Sequence, residues 1–191
     1  MWYNPIDASV LSWGGLPYDV SYSLSIWAFK PDGQGGAEWV ERYSPSSSLW
    51  TNLTSPFGSV SASGPRSFYS LGGGVHWSYE ISGLAVFDFQ DSTWSNLSSA
   101  GYSNTGYAML GEAQFVPLFG QDGLLVMLGG SSPTNQSWME YTALADMSNI
   151  TVYDISAQQW HHQTASGDIP PPRTHFCMVG AQEASRGSYE L

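Results

Sequence analysis

Val10-Leu11-Ser12-Trp13-Gly14-Gly15, Phe68-Tyr69-Ser70-Leu71-Gly72-Gly73 and Leu125-Val126-Met127-Leu128-Gly129-Gly130 are three copies of one pattern, a short apolar run stopped by a double glycine. Their last glycines stand 73 − 15 = 58 and 130 − 73 = 57 residues apart. A near-constant period of this size marks a chain built from repeated supersecondary units. Each apolar run is short enough for a buried strand, and its two glycines permit positive φ and a tight exit.

A second pattern falls between these stops. Val86-Phe87-Asp88 is followed by Trp94, and Val152-Tyr153-Asp154 by Trp160; both steps from aspartate to tryptophan are six residues (94 − 88 and 160 − 154). The first copy is looser. Ile26-Trp27-Ala28-Phe29 is followed by Trp39, with Pro31-Asp32-Gly33-Gln34-Gly35-Gly36 lengthening the turn between them. The aromatic-Asp run predicts a strand whose aspartate opens a turn by bonding its own backbone. The tryptophan belongs to the next strand and sets a large ring between neighbouring sheets. Asp88 and Asp154 hold the same repeat position, which marks them as turn residues rather than a catalytic carboxylate pair. Each unit therefore predicts a four-stranded antiparallel sheet that cannot bury both faces alone, so the sheets must stack.

Composition agrees with an all-β chain. Aromatic residues make up 15%, with 21 Gly and 11 Pro, and these residue types favour pleated strands and turns over helix. The net charge of −11, with only five basic residues, leaves nothing from which to build a phosphate-binding surface. That excludes nucleic acid and disfavours anionic lipid. No apolar stretch approaches the ~20 residues that cross a bilayer. The opening Met1-Trp2-Tyr3-Asn4-Pro5 lacks the basic and apolar regions of a signal peptide.

The double glycine, the aromatic-Asp and the tryptophan six residues later resemble kelch repeats, in register from about Val10 to about Val179. The long period, the Ser/Gly-rich links and Gly167-Asp168-Ile169-Pro170-Pro171-Pro172-Arg173 are similar to fungal kelch-repeat proteins with a galactose-oxidase-like central domain. Pro172-Arg173 matches the pair that opens a kelch blade; Pro65-Arg66 matches less well, lying too close to its double glycine. The resemblance implies a β-propeller arc of about three blades: blade 1 at about 10–43, blade 2 at about 55–98, blade 3 at about 107–163, and the start of a fourth at about 172–180. It also implies a fragment of a larger propeller or, less favoured, an arc closed by another chain. An open arc would leave two sheet faces bare.

The functional expectation is a non-catalytic scaffold for a protein or glycan partner, in a secreted or membrane-anchored glycoprotein. The glycoprotein part rests on four acceptor triplets, at Asn52, Asn96, Asn135 and Asn149. Six asparagines in a Ser/Thr-rich chain would supply about one by chance. Trp77, Tyr79, Trp138 and Tyr141 fall in the long links and are candidate binding-loop aromatics, since propeller function resides in loops between rigid sheets. Gly14, Gly15, Gly72, Gly73, Gly129, Gly130, Asp88, Asp154, Trp39, Trp94, Trp160 and Arg173 are structural.

No catalytic, cofactor or metal residue is expected. The chain has no Gly-x-Ser-x-Gly elbow, and Gly33-Gln34-Gly35-Gly36 is a hairpin turn lacking the lysine of a phosphate loop. His161 and His162 are adjacent in a predicted strand, so their rings point to opposite faces and cannot chelate one ion; His76 and His175 lie in other units. The alternative is a remnant of a galactose-oxidase-like copper-radical oxidase, whose cofactor is a cysteine cross-linked to tyrosine. Cys177 is the one thiol. It is expected as a small core residue in a strand, with His175 on its face, and no catalytic motif of that family is matched.

Overall fold

The computed structural model describes residues 1–14, 25–42, 56–75, 79–80, 82–103, 108–131, 144–183 and 188–191. Among them there is no helix, and hence none long and apolar enough to cross a membrane. Twelve strands form three four-stranded antiparallel sheets. The first holds β1 (Trp2–Asn4), β2 (Ser9–Ser12), β3 (Ile26–Pro31) and β4 (Ala37–Arg42) in that order. The second holds β5 (Val60–Ser63), β6 (Ser67–Leu71), β9 (Leu84–Asp88) and β10 (Thr93–Leu97), with the short pair β7 (Gly74–Val75) and β8 (Tyr79–Glu80) in the link between β6 and β9. The third runs β11 (Glu112–Val116), β12 (Leu124–Leu128), β13 (Asn149–Asp154), β14 (Gln159–Thr164). A hairpin, β15 (Ala181–Glu183) and β16 (Ser188–Glu190), ends the chain.

Two sequence boundaries shift. The first sheet begins at Trp2, not near Val10: Trp2 pairs with Leu11 and Asn4 with Ser9. The segment expected to open a fourth unit at 172–180 carries no strand, and pairing resumes only at Ala181.

The three sheets share one register. Rows of directly paired residues read Tyr3–Val10–Phe29–Trp39 in the first sheet, Ser63–Phe68–Phe87–Trp94 in the second and Phe115–Leu125–Tyr153–Trp160 in the third. Val10, Phe68 and Leu125 each lie four residues before the first glycine of their pair, so the rows are equivalent. Because side chains alternate across a strand, each row defines one face of its sheet, termed here the front face. The front of the second sheet packs on the rear of the first, joining Phe68, Phe87 and Trp94 to Trp2, Leu11, Trp13, Ile26 and Ala28. The front of the third packs on the rear of the second, joining Ala113, Leu125, Met127 and Tyr153 to Val60, Ala62, Tyr69, Leu71 and Leu84.

The double glycines sit where successive units cross. Gly72 has φ +64, and a Cβ there would collide with the Ala108 carbonyl of the segment entering the third sheet; only glycine has both the conformation and the room. Gly73 N–H donates to that carbonyl (2.8 Å), and Gly130 N–H donates to the Arg173 carbonyl (2.9 Å). Two residues further on, Leu110 N–H donates to Gly58 (2.7 Å) and His175 N–H donates to Leu110 (3.1 Å). Gly58, Leu110 and His175 all take left-handed backbone, with φ +65, +58 and +55. Arg173–His175 thus meets Gly130 and Leu110 in the way that Ala108–Leu110 meets Gly73 and Gly58.

Candidate functional site

The repeat aspartates do what their position predicts. Asp88 Oδ1 accepts the N–H groups of Gln90 (2.8 Å) and Asp91 (3.0 Å). Asp154 Oδ1 accepts Ala157 N–H (2.9 Å) and Ser156 O–H (2.8 Å). The Ala157 and Ser156 bonds stabilise the ionised form and hold the Asp154 carboxyl below its ordinary pKa.

The three repeat tryptophans have unlike surroundings. Trp94 is 3% exposed, with its ring 4.4 Å from Trp13 and 5.1 Å from Phe87. Trp160 is half-buried; its indole N–H donates to the Ser98 carbonyl (3.0 Å), and Tyr102 meets its ring edge-on at 5.7 Å. Trp39 is 53% exposed, and among the described residues its ring meets that of its neighbour in the row, Phe29, at 5.2 Å. Trp94 and Trp160 each pack on the sheet before their own. Tyr3 (52% exposed) and Trp27 (42%) complete a bare aromatic surface on that front face.

His161 and His162 point to opposite faces, as their register requires. His162 Nε2 lies 2.8 Å from the Gly101 carbonyl and Nδ1 3.3 Å from Thr151 Oγ1. A carbonyl can only accept, so Nε2 carries the proton and Nδ1 accepts from Thr151. The ring therefore ties the third sheet to the link leaving the second. Among the described residues no group of three His, Cys, Asp or Glu side chains could hold a metal ion.

Cys177 departs from expectation. It is exposed, in a segment without strand pairing, and the left-handed backbone at His175 breaks the alternation that would have set the two on one face. The His175 ring lies 3.0 Å from the neighbouring Thr174 hydroxyl. A strand needs a partner to satisfy its backbone groups, and none among the described residues pairs with 176–179.

Asn96 and Asn149 are exposed at the surface, Asn96 on β10 against Gly83 and Asn149 at the head of β13. Asn52, Asn135, Trp77, Trp138, Tyr141 and Gly15 lie outside the described residues, and of Tyr79 only its strand position is described.

A cleft of about 400 Å³, which sequence patterning did not indicate, opens between the second and third sheets on the side of the short turns. Arg66, Ser67, Asp88, Gln121 and Asp122 give it a polar rim, and Tyr69, Phe115 and Ile155 an aromatic and aliphatic floor. Burial pushes the Tyr69 phenol above its ordinary pKa; the bond with Ser67 opposes this, and the charges of Asp122 and Asp88 add to it. Tyr69 is thus a neutral hydroxyl at physiological pH, suited to hydrogen bonding and not to proton abstraction. The walls of the cleft come from turns of two different sheets, so no local motif could reveal it.

No protein-family model and no curated protein matches the chain.

Proposed function

We propose that the three sheets are successive blades of a kelch-type β-propeller, and that the protein is a non-catalytic scaffold for a protein or glycan partner, carried as a glycoprotein of the secretory route. The observation that carries the reading is the recurring crossing at Pro56–Gly58, Ala108–Leu110 and Arg173–His175. There the entering segment of each unit meets the double glycine of the unit before. Repetition of one sheet with one crossing is how propeller blades are joined, and it leaves the links free to vary. The exposure of Asn96 and Asn149 supports the glycan part, since an acceptor side chain must be reachable.

The test is to capture the native protein from its own source, treat it with an N-glycosidase in heavy-oxygen water, and map the asparagines. A fall in mass, with Asn96 and Asn149 converted to labelled aspartate, is the expected result. An unchanged mass with both asparagines intact would overturn the secretory reading.

A further inference from the structure

At the end nearest the short turns, the junction between the second and third sheets is filled less fully than the junction between the first and second. Phe89 N–H donates to the Arg66 carbonyl (3.0 Å), and Ile155 N–H donates to the Gly123 carbonyl (3.4 Å). Ile155 and Gly123 therefore hold in the third sheet the places that Phe89 and Arg66 hold in the second. Phe89 is buried in the aromatic core of the first junction. Ile155 is only half-buried, and Gly123 has no side chain to offer. The space this leaves is the cleft of about 400 Å³, which falls in the range of small-molecule sites, roughly 300–1,000 Å³.

The cleft gathers charges of both signs that do not pair with one another. Arg66 and Asp88 come from turns of the second sheet, and Asp122 from the turn between β11 and β12. Arg66 forms no ion pair with either carboxylate, whereas Arg42 and Lys30 both pair with Asp7. Both signs nevertheless bear on one buried hydroxyl. Burial is the chief cause that raises the Tyr69 phenol; Asp122 and Asp88 add to it, and Arg66 opposes it. Asp88 holds its turn through Oδ1, which leaves Oδ2 for a ligand. A simple anion drawn to Arg66 would meet two carboxylates, and a simple cation drawn to those carboxylates would meet Arg66. A molecule that carries both charges meets each with its opposite, as desolvated charges require.

We propose that this cleft binds a small zwitterion, an α-amino acid with an apolar side chain. Its carboxylate meets Arg66, its ammonium meets Asp88 and Asp122, and its side chain lies against Phe115 and Ile155. The planar guanidinium suits a carboxylate, which it can bind through two N–H groups at once. The neutral Tyr69 hydroxyl can donate to that carboxylate or accept from the ammonium. The site is built from turns of the second and third sheets alone, and stands apart from the kelch and glycoprotein readings.

The test is isothermal titration of the 191-residue chain with three compounds. They are L-phenylalanine, N-acetyl-L-phenylalanine, which lacks the ammonium, and L-phenylalaninamide, which lacks the carboxylate. Phenylalanine should saturate a single site, and each blocked analogue should bind more weakly by about tenfold or more, the factor a charge-assisted hydrogen bond carries. Arg66→Gln should bring phenylalanine down to the affinity of its amide. Asp122→Asn should weaken phenylalanine and leave N-acetylphenylalanine unchanged. No saturable binding of phenylalanine at millimolar concentration overturns the proposal. So do equal affinities for all three compounds, which would make the cleft merely apolar. Saturation by a methyl hexoside in place of phenylalanine also overturns it, and would mark a site for a neutral hydroxylated ring. Should either variant lose its β-sheet circular dichroism, the three compounds on the parent chain decide by themselves.

Discussion

The junction between the first and second sheets and the junction between the second and third have the same register and opposite chemistry. The first is aromatic: the Trp2 and Phe68 rings stack at 3.8 Å and 7°, Trp13 lies on Trp94 at 4.4 Å, and Phe87 and Phe89 meet edge to face at 6.1 Å. The second is aliphatic, with Val60, Leu71, Leu84, Leu125 and Met127 at its centre, and carries tyrosines where the first has none that ionise. One sheet design thus accepts two kinds of filling, provided the volume between the faces is filled. Aromatic filling adds preferred ring geometry worth about 0.5–1.5 kcal/mol per pair beyond area burial, and it does not titrate. The tyrosines of the second junction couple it to pH.

Three measurements can break or sharpen this contrast. The largest effect belongs to Trp94→Ala, which removes a buried ring from the aromatic junction. Denaturant unfolding should show a loss of about 3–5 kcal/mol; a loss below about 1 kcal/mol would mean that ring packing does not hold the first two sheets together.

The next effect is alkaline and belongs to the second junction. Burial pushes the Tyr102 phenol up to about 12, and raises Tyr153 and Tyr69 as well. An acid whose folded pKa lies above its unfolded value keeps its proton in the folded state while the unfolded chain loses it. Stability therefore holds below pH 10 and falls as pH rises from 10 toward 12, by up to about 1.4 kcal/mol per pH unit from Tyr102. Tyr102→Phe should flatten that slope, measured by unfolding at a series of alkaline pH values; an unchanged slope would remove Tyr102 as its source.

The smallest effect belongs to Trp39→Ala, measured by the same denaturant unfolding. The same repeat residue, bare on its face, should cost less than about 1 kcal/mol. A cost like that of Trp94 would show that the first sheet depends on Trp39 for its own folding.

Much of this was legible in the chain. The glycine stops, the aspartate turns and the placing of His161 and His162 on opposite faces follow from spacing of a few residues, and the structure shows the stops at Gly72-Gly73 and Gly129-Gly130, the turns at Asp88 and Asp154, and the opposed histidines. The strand Trp2–Asn4 was missed because three residues before a proline carry too little pattern; what makes them a strand is Ser9–Leu11 lying alongside. Cys177 was expected inside because its neighbours are apolar, and it is exposed in a segment with which no described strand pairs. The cleft beside Tyr69 left no trace in any single stretch, since its walls come from turns of two different sheets.

By itself the sequence determined the repeat: where strands stop, where turns begin, and which residues share a face. Those are local consequences of glycine conformation, side chains bonding their own backbone, and the two-residue period of a strand. Only the tertiary structure decided which of three equivalent tryptophans is buried and which junction responds to pH. Burial is a property of whatever packs against a face, and three identical positions acquire three different fates when, among the described residues, one meets a full sheet, one a sheet and its link, and one the ring beside it.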